Sequence, residues 1–196
     1  MPKFDLRGIR IGKYTNTAGN VTYSNPTSAG DAMTANLELK FAEGRLYAES
    51  KLAEYVKLAT GGTISMGVKY IPEEAQKMMF GCKEKERNLN IESGSTAVKG
   101  LLYSTKDETN YVGVGFYAPD MIDGVQKYTC IFVYKAQFGM PSMSFQTKGE
   151  TITFQTPTTT GEFLASDANS QELLEVAIVD SEAAATAWIK NCLGEK

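Results

Sequence analysis

The sequence predicts a mainly β domain of the β-rich α+β class, in which antiparallel sheets form a sandwich or barrel with one short flanking helix and a C-terminal helix. Most segments alternate apolar and polar residues with period two and are rich in Val, Ile, Thr, Tyr and Phe, as strands are. Turn signals between them indicate antiparallel hairpins. The 196 residues show no internal repeat or low-complexity tract, so we expect one domain over residues 1–196.

The N-terminal part is predicted to alternate strands with polar connections. We expect strands at residues 4–11, 33–41 and 45–49, with a turn at Glu43-Gly44 between the last two. Residues 13–31 are rich in Asn and Gly and are predicted as a long loop, which could contain a short strand around residues 21–23. Loops of this length in compact domains are usually functional or partly mobile.

Residues 52–59 admit two interpretations. Their apolar positions follow the spacing of one helical face, formed by Leu52, Tyr55, Val56 and Ala59. The strand alternative rests on the resemblance described below. Gly61-Gly62 then opens a predicted strand over residues 63–71, whose apolar face is formed by Ile64, Met66, Val68 and Tyr70.

Two segments carry the signals of helices. Residues 72–80 begin at Pro72, have acidic residues at the positive end of the helix dipole, and stop at Gly81. Residues 181–193 are predicted to form a C-terminal helix that Gly194 ends. Its apolar face is formed by Ala185, Trp188, Ile189 and Cys192.

The remaining segments are predicted as strands, at residues 97–105, 111–118, 127–138, 144–156, 161–165 and 172–179. Within residues 128–134, apolar side chains occupy both faces. This pattern indicates a strand that is covered on both sides, either by packing within the domain or by a partner subunit.

The charge pattern argues against nucleic-acid binding. The net charge is −3, whereas a nucleic-acid binder needs a concentrated basic face. The basic residues of the segment 83–87 alternate with Glu84 and Glu86. We therefore expect a solvated loop, in which neighbouring opposite charges cancel beyond the Debye length.

The residue inventory argues against an enzyme. The chain has no histidine, which removes Ser-His-Asp and Cys-His triads and the commonest metal ligand, although carboxylate or lysine chemistry stays open. Its three cysteines, Cys82, Cys130 and Cys192, have neither the number of a disulfide framework nor the spacing of a zinc site. We expect Cys130 and Cys192 to be buried, inert thiols in a reducing compartment. Neither a secretory signal nor a membrane span is predicted.

One motif resembles a cofactor loop in letters only. Residues 113–118 match the G-x-G-x-x-A pattern of dinucleotide-binding loops. Such a loop must open a helix, and here Gly113 and Gly115 lie inside a strand pattern that Pro119 follows. We expect these glycines to allow close backbone approach or a bulge, and we predict no cofactor.

Four segments, in order, resemble the major tail protein, or tail tube protein, of long-tailed, non-contractile bacteriophages of the siphophage type. They are residues 46–50 (LYAES), 111–119 (YVGVGFYAP), 128–138 (YTCIFVYKAQF) and 146–163 (QTKGETITFQTPTTTGEF). The predicted helix at residues 72–80 also lies where that family has its helix. With the intervening strands, the resemblance covers nearly the whole chain, and its last segment is the most specific.

The resemblance implies a tail-tube-like β-sandwich flanked by a helix, with residues 52–59 in a strand. It also implies a structural virion protein, made and assembled in the bacterial host cytoplasm. Copies would form hexameric rings that share an inner β-barrel and stack into a tube for the passing genome, without specific DNA binding. The further partners would be the tail tape-measure, tail terminator and baseplate proteins, with no membrane.

Candidate contact residues follow from this expectation. Strand residues that could form the contact between subunits are Tyr128, Cys130, Phe132, Tyr134, Ile64, Met66 and Val68. The long loop between early strands usually contacts the next ring in this family, and that role could fall on residues 13–31 or on residues 43–61. The corresponding candidates are Asn16, Asn20, Tyr23, Tyr47 and Tyr55.

Two other functions stay open at this point. The tube of a contractile phage-like injection system would have the same fold and assembly. A β-sandwich module that binds carbohydrate or a receptor would need an exposed aromatic cluster, for which the candidates are Tyr14, Tyr23, Tyr47 and Tyr55.

Overall fold

The computed structural model describes residues 5–91, 94–147 and 154–195. The strands are β1 (Arg7–Thr17), β2 (Asn20–Ser28), β3 (Ala32–Ala48), β4 (Lys51–Val68), β5 (Lys83–Ile91), β6 (Gly94–Leu102), β7 (Tyr111–Ile122), β8 (Val125–Phe138), β9 (Thr158–Leu164) and β10 (Leu174–Val179). The helices are α1 (Glu73–Phe80) and α2 (Glu182–Cys192). Strands account for 62% of the residues and helices for 10%, which confirms the predicted β-rich α+β class.

One antiparallel sheet contains most of the strands, in the order β2-β1-β7-β8-β9-β4-β3. Strand β8 lies near its centre and pairs with β7 along one edge. Its other edge is divided, because residues 128–133 pair with β10 and residues 135–138 pair with β9. Strands β5 and β6 form a separate two-stranded sheet.

The main core lies between the two halves of this sheet, which folds over on itself. Apolar side chains from both halves meet in one buried cluster that includes Ile11 of β1, Met66 of β4, Val114 of β7 and Phe163 of β9. Helix α1 closes one side of it through Ala75, Met79 and Phe80. The alternation predicted at residues 63–71 is therefore the core face of β4 as far as Val68. Tyr70 was wrongly placed on this face, because the strand ends before it and its side chain is exposed.

A second, smaller core lies on the opposite face of β7 and β8, beneath α2. Cys130, Phe132 and Ile189 are fully buried there. A Cβ atom added to Gly115 would lie 2.6 Å from the Ile189 side chain, so this glycine makes room for α2 rather than for a neighbouring backbone. The bulge that was the other expectation fits Gly113, because the pairing register of β7 with β8 shifts between Val112 and Val114. The chain's own sheet and helix thus cover both faces of β8.

The predicted long loop over residues 13–31 is wrong. It is a hairpin of β1 and β2, whose turn places Ala18 at φ 52° and Gly19 at φ 84°. Two consecutive residues with positive φ are typical of the tight turn that joins twisted strands. Polar residues dominate this hairpin because several of its side chains face solvent.

The turn predicted at Glu43-Gly44 is also wrong. Strand β3 continues through it, and the hairpin turns instead at Glu49 and Ser50, with φ 52° and 62°. Neither residue is the glycine that such a turn favours, so the turn signal was weak in the sequence. Residues 52–59 lie in β4, which confirms the strand interpretation over the helical spacing.

Two further expectations need correction. The prediction of a solvated loop at residues 83–87 is wrong. These residues pair with β6 and form the first part of β5, so their alternating charges lie on opposite faces of a strand. The strand predicted at residues 144–156 is absent from residues 144–147 and 154–156, and its middle, residues 148–153, lies outside the described residues.

Both helices are confirmed close to their predicted ends. Gly81 ends α1 with φ 67°, in the left-handed conformation that glycine adopts readily. The side chain of Ser181 accepts a hydrogen bond from the Ala184 amide at the start of α2, and Gly194 follows this helix with φ 71°.

The packing of α2 gives a first prediction. Replacing the fully buried Ile189 by alanine should lower the free energy of unfolding by about 2–5 kcal/mol, because the change leaves a cavity against β8. Chemical denaturation measures the loss. The exposed neighbour Lys190→Ala serves as the control and should change stability by less than about 0.5 kcal/mol. Equal effects of the two variants would contradict the packing described here.

Candidate functional site

The outer half of the β3–β4 hairpin projects from the body of the fold. We call this segment, residues 40–61, the arm. Every residue from Glu38 to Ala48 in β3 and from Lys51 to Thr60 in β4 is exposed, whereas Gly61 and Gly62 are buried again. The arm therefore contributes nothing to either core.

The inner face of the arm continues the face on which Leu37 and Ile64 point toward the main core. Its side chains interact with one another. The Lys57 ammonium lies 3.2 Å from the Glu43 carboxylate and 4.5 Å from the centre of the Phe41 ring. Arg45 stacks over Tyr55 at 5.5 Å, and Lys57 lowers the pKa of the Glu43 carboxyl below its ordinary value by hydrogen bonding.

The outer face of the arm is apolar and lacks such partners. Cross-strand register places Ala42 opposite Leu58, Gly44 opposite Val56, and Leu46 opposite Glu54. The side chains of Leu46, Val56 and Leu58 are 57%, 51% and 63% exposed. A contiguous apolar surface that water covers in the isolated chain is typical of a contact site.

Polarity reverses along this hairpin. In the body of the fold the outer face is polar, with Asn36 opposite Ser65 and Glu38 opposite Thr63. Beyond the irregularity at Thr60, the same face carries Leu46, Val56 and Leu58, with charged residues only at its margins. The inner face there is mixed and carries three charged side chains beside exposed apolar and aromatic ones: Glu43, Arg45, Lys57, Phe41, Tyr47, Leu52 and Tyr55. The arm is therefore not an extension of the chain's own core, and it is suited to bury its outer face elsewhere.

The β5–β6 hairpin is a second projecting element, and its register separates the charges by sign. Lys83, Lys85 and Arg87 lie on one face, with Leu102, Gly100 and Val98 opposite them. Glu84 and Glu86 lie on the other face, with Leu101 and Lys99 opposite. Charges that alternate in sign along the sequence are thus separated between two faces. We call the face with Lys83, Lys85 and Arg87 the basic face. The other face, which carries Glu84, Glu86 and Lys99, we call the tethered face.

The tethered face attaches this hairpin to the rest of the fold. The Glu84 carboxylate lies 2.7 Å from the Lys77 ammonium of α1 and 2.8 Å from the Lys99 ammonium of β6. Hydrogen bonds from these two lysines lower the pKa of Glu84 to about 2. Glu84 therefore stays charged at neutral pH and links the hairpin to α1.

Several predicted contact residues are not available to another molecule. Ile64, Met66 and Val68 lie in the main core, and Cys130 and Phe132 lie beneath α2, each at most 2% exposed. These five were wrong as interface candidates, because the second layer that covers them belongs to the same chain. Tyr128 and Tyr134 are half-buried around α2.

The other candidates divide between the two early hairpins. Asn16 accepts a hydrogen bond from the Gly19 amide within the β1–β2 turn, which Asn20 follows, and the Tyr23 hydroxyl donates to the Tyr134 carbonyl at 2.8 Å. Tyr47 and Tyr55 lie exposed on the arm. The four-tyrosine cluster considered for a binding module is not formed, since Tyr14 is buried against Tyr23, away from the arm.

The groups that could carry chemistry are dispersed or shielded. Burial raises the pKa of the Cys130 and Cys192 thiols to about 11, so both are protonated at neutral pH. Within residues 5–91, 94–147 and 154–195, no three Cys, Asp or Glu side chains are grouped to hold a metal ion. In the same ranges, no helix has the length and apolar character needed to cross a membrane.

Sequence reasoning missed the outer face of the arm and the basic face of the β5–β6 hairpin. A signal for the first was present in Gly44, a glycine inside a period-two pattern, which was interpreted as a turn. A signal for the second was the alternation of charge, since period two separates the two signs onto opposite faces once the segment is a strand.

Comparisons with known proteins were negative: no family model matches the chain, and no curated protein matches it significantly.

The link through Glu84 gives a prediction. Its lowered pKa means that the link contributes stability above about pH 4.5 and loses it as the pH falls toward 2. Glu84→Gln should therefore speed amide hydrogen exchange in β5 and β6 at neutral pH. The matched control, Glu86→Gln on the same face, should leave this exchange unchanged. Equal exchange in wild type and Glu84→Gln would show that the ion pairs do not hold the hairpin.

Proposed function

We propose that this protein is a structural subunit that assembles with copies of itself into a tube, as the major tail tube protein of a long, non-contractile bacteriophage tail does. The observation that carries the proposal is the unpartnered apolar outer face of the arm. The sequence resemblance over residues 46–50, 111–119, 128–138 and 146–163 supplies the kind of assembly.

The arm is costly for a lone molecule. Burial of a large aliphatic side chain is worth about 1.5–3 kcal/mol, and three such side chains of the outer face stay half exposed or more. A two-stranded ribbon is also marginally stable by itself in water. A partner that covers Leu46, Val56 and Leu58 would remove both disadvantages.

Open strand edges support self-association. Strands β2 and β3 end the main sheet, and β10 pairs only with β8 among the described strands. Strand β10 also exposes Val176 and Ile178. Such edges promote pairing with other chains, and closure of subunits into a ring removes them. Head-to-tail stacking of rings then gives an open filament by symmetry alone.

The structure narrows the choice of the segment that contacts the next ring. Residues 13–31 form a hairpin within the main sheet, whereas residues 43–61 belong to the projecting arm. We therefore assign the contact with the next ring to the arm. A net charge of −3 suits a conduit through which DNA passes without specific binding. The tape-measure, terminator and baseplate proteins of the virion tail would be the other partners.

Assembly of the purified protein tests this function. On concentration, the 21.4 kDa chain should form rings or tubes that sedimentation velocity and negative-stain electron microscopy detect. The triple variant Leu46→Ser, Val56→Ser, Leu58→Ser should stay folded and monomeric, because it makes the outer face polar without touching either core.

A change outside the arm serves as the control. Val125→Ser removes exposed apolar area at the start of β8, away from the arm and both cores, and should leave assembly near the wild-type level. A wild-type protein that stays monomeric at about millimolar concentration, where contacts worth only about 4 kcal/mol are half occupied, would overturn the proposal.

A further inference from the structure

We infer that the arm of one copy docks, with its outer face down, on the basic face of the β5–β6 hairpin of a second copy. This inference rests on the proposed self-assembly and names the two surfaces that meet. Three independent features of the described residues support it: matching size, unexplained glycines and opposite charge.

The two surfaces have the same shape. Strand β5 spans Lys83–Ile91, and residues 40–48 of β3 form a ribbon of equal length in the arm. At about 3.4 Å per residue, each ribbon is about 30 Å long and two strands wide. Each projects from the fold, and each exposes large aliphatic side chains, which are Leu46, Val56 and Leu58 on the arm and Val98 and Leu102 on the hairpin.

Each surface also has a glycine that its own chain does not require. Gly44 lies on the outer face of the arm and Gly100 on the basic face of the hairpin. Neither has the positive φ that favours glycine, and a Cβ atom added to either would meet no atom within 4 Å. Glycine weakens a strand interior, and it often marks a site where another backbone approaches closely. Both faces therefore suit close contact with another ribbon.

The charges are complementary. Glu38 and Glu54 lie on the outer face at either side of its apolar stretch. The face also carries two lysines: Lys40, which already forms an ion pair with Glu162 of β9, and Lys51, which lies beyond Glu54 at the tip. The basic face carries Lys83, Lys85 and Arg87 without a carboxylate. Among the described residues, none of these two glutamates or three cations forms an ion pair. On the hairpin, Leu102 and Val98 lie directly across from Lys83 and Arg87, so apolar contacts and carboxylate–cation contacts would form side by side.

The size of the contact explains why it would act only in an assembly. One ribbon face measures about 30 by 10 Å, so a single contact buries about 600 Å² in total, half or less of what a stable pairwise interface needs. A copy that donates its arm and receives another arm repeats the contact around and along a tube. Multiple linked contacts then give stability that one contact lacks.

The glycines provide the first test. Gly44→Val and Gly100→Val should each leave the monomer folded, because their side chains enter open space and valine favours strands. Each should raise the protein concentration needed for assembly about tenfold or more, since a close interface tolerates added bulk poorly. Ala59→Val and Ala97→Val add two of these three carbon atoms to the opposite faces and should not change the concentration needed for assembly.

Charge reversal provides the second test. Lys85→Glu with Arg87→Glu, or Glu38→Lys with Glu54→Lys, should each raise the concentration for assembly about tenfold or more. All four changes together should restore most of the assembly, since the attraction is re-formed with opposite signs. Glu86→Lys, on the tethered face, is the control and should have no effect.

The outcomes separate the two proposals. A wild-type protein that does not assemble would overturn both. If wild type assembles and Gly44→Val prevents it, but Gly100→Val and the reversed hairpin charges have no effect, the arm docks on a different surface and only this inference is overturned. Rescue by the fourfold charge reversal would establish that the two faces meet.

Discussion

Burial of strand β8 on both faces is the interaction on which the rest of the structure depends. One face contributes Val133, Ala136 and Phe138 to the core between the sheet halves, and the other places Cys130 and Phe132 beneath α2. Strand β8 pairs with β7 along one edge, and with β9 and β10 along the other, so it also holds the folded sheet together. The body of the molecule therefore completes both of its cores without another chain.

Two ribbons project from this body: the arm and the β5–β6 hairpin. Neither shares side chains with either core, and an isolated pair of strands has little stability by itself. Their side chains are therefore free to suit other contacts: charge is confined to chosen faces, and glycine occurs where the fold does not need it. A chain that functioned alone would gain stability by losing such segments. Their length and patterning are what the proposed contact with identical neighbours would require.

The sequence predicted a feature correctly where residues close together in the chain determine it. The helix ends at Gly81 and Gly194, the core alternation of β4 and the irregular pairing beside Gly113 each follow from local chemistry, and each was found. The two-sided apolar pattern of β8 was also found, but the nature of its cover was not, because α2 comes from a distant part of the chain. Turns without glycine, such as Glu49-Ser50, and faces defined only by cross-strand register could not be found from local signals.

The ion-paired inner face of the arm has a consequence for how assembly begins. Glu43 forms ion pairs with both Lys57 and Arg45. These two cations also lie over the rings of Phe41 and Tyr55. The contacts restrict side-chain motion along the ribbon before any contact with a neighbour forms. A segment that is already rigid loses less conformational entropy when it is captured. Preorganisation of the arm would thus contribute to the affinity of the proposed contact as much as the buried area does. High salt, which screens these ion pairs, would slow nucleation.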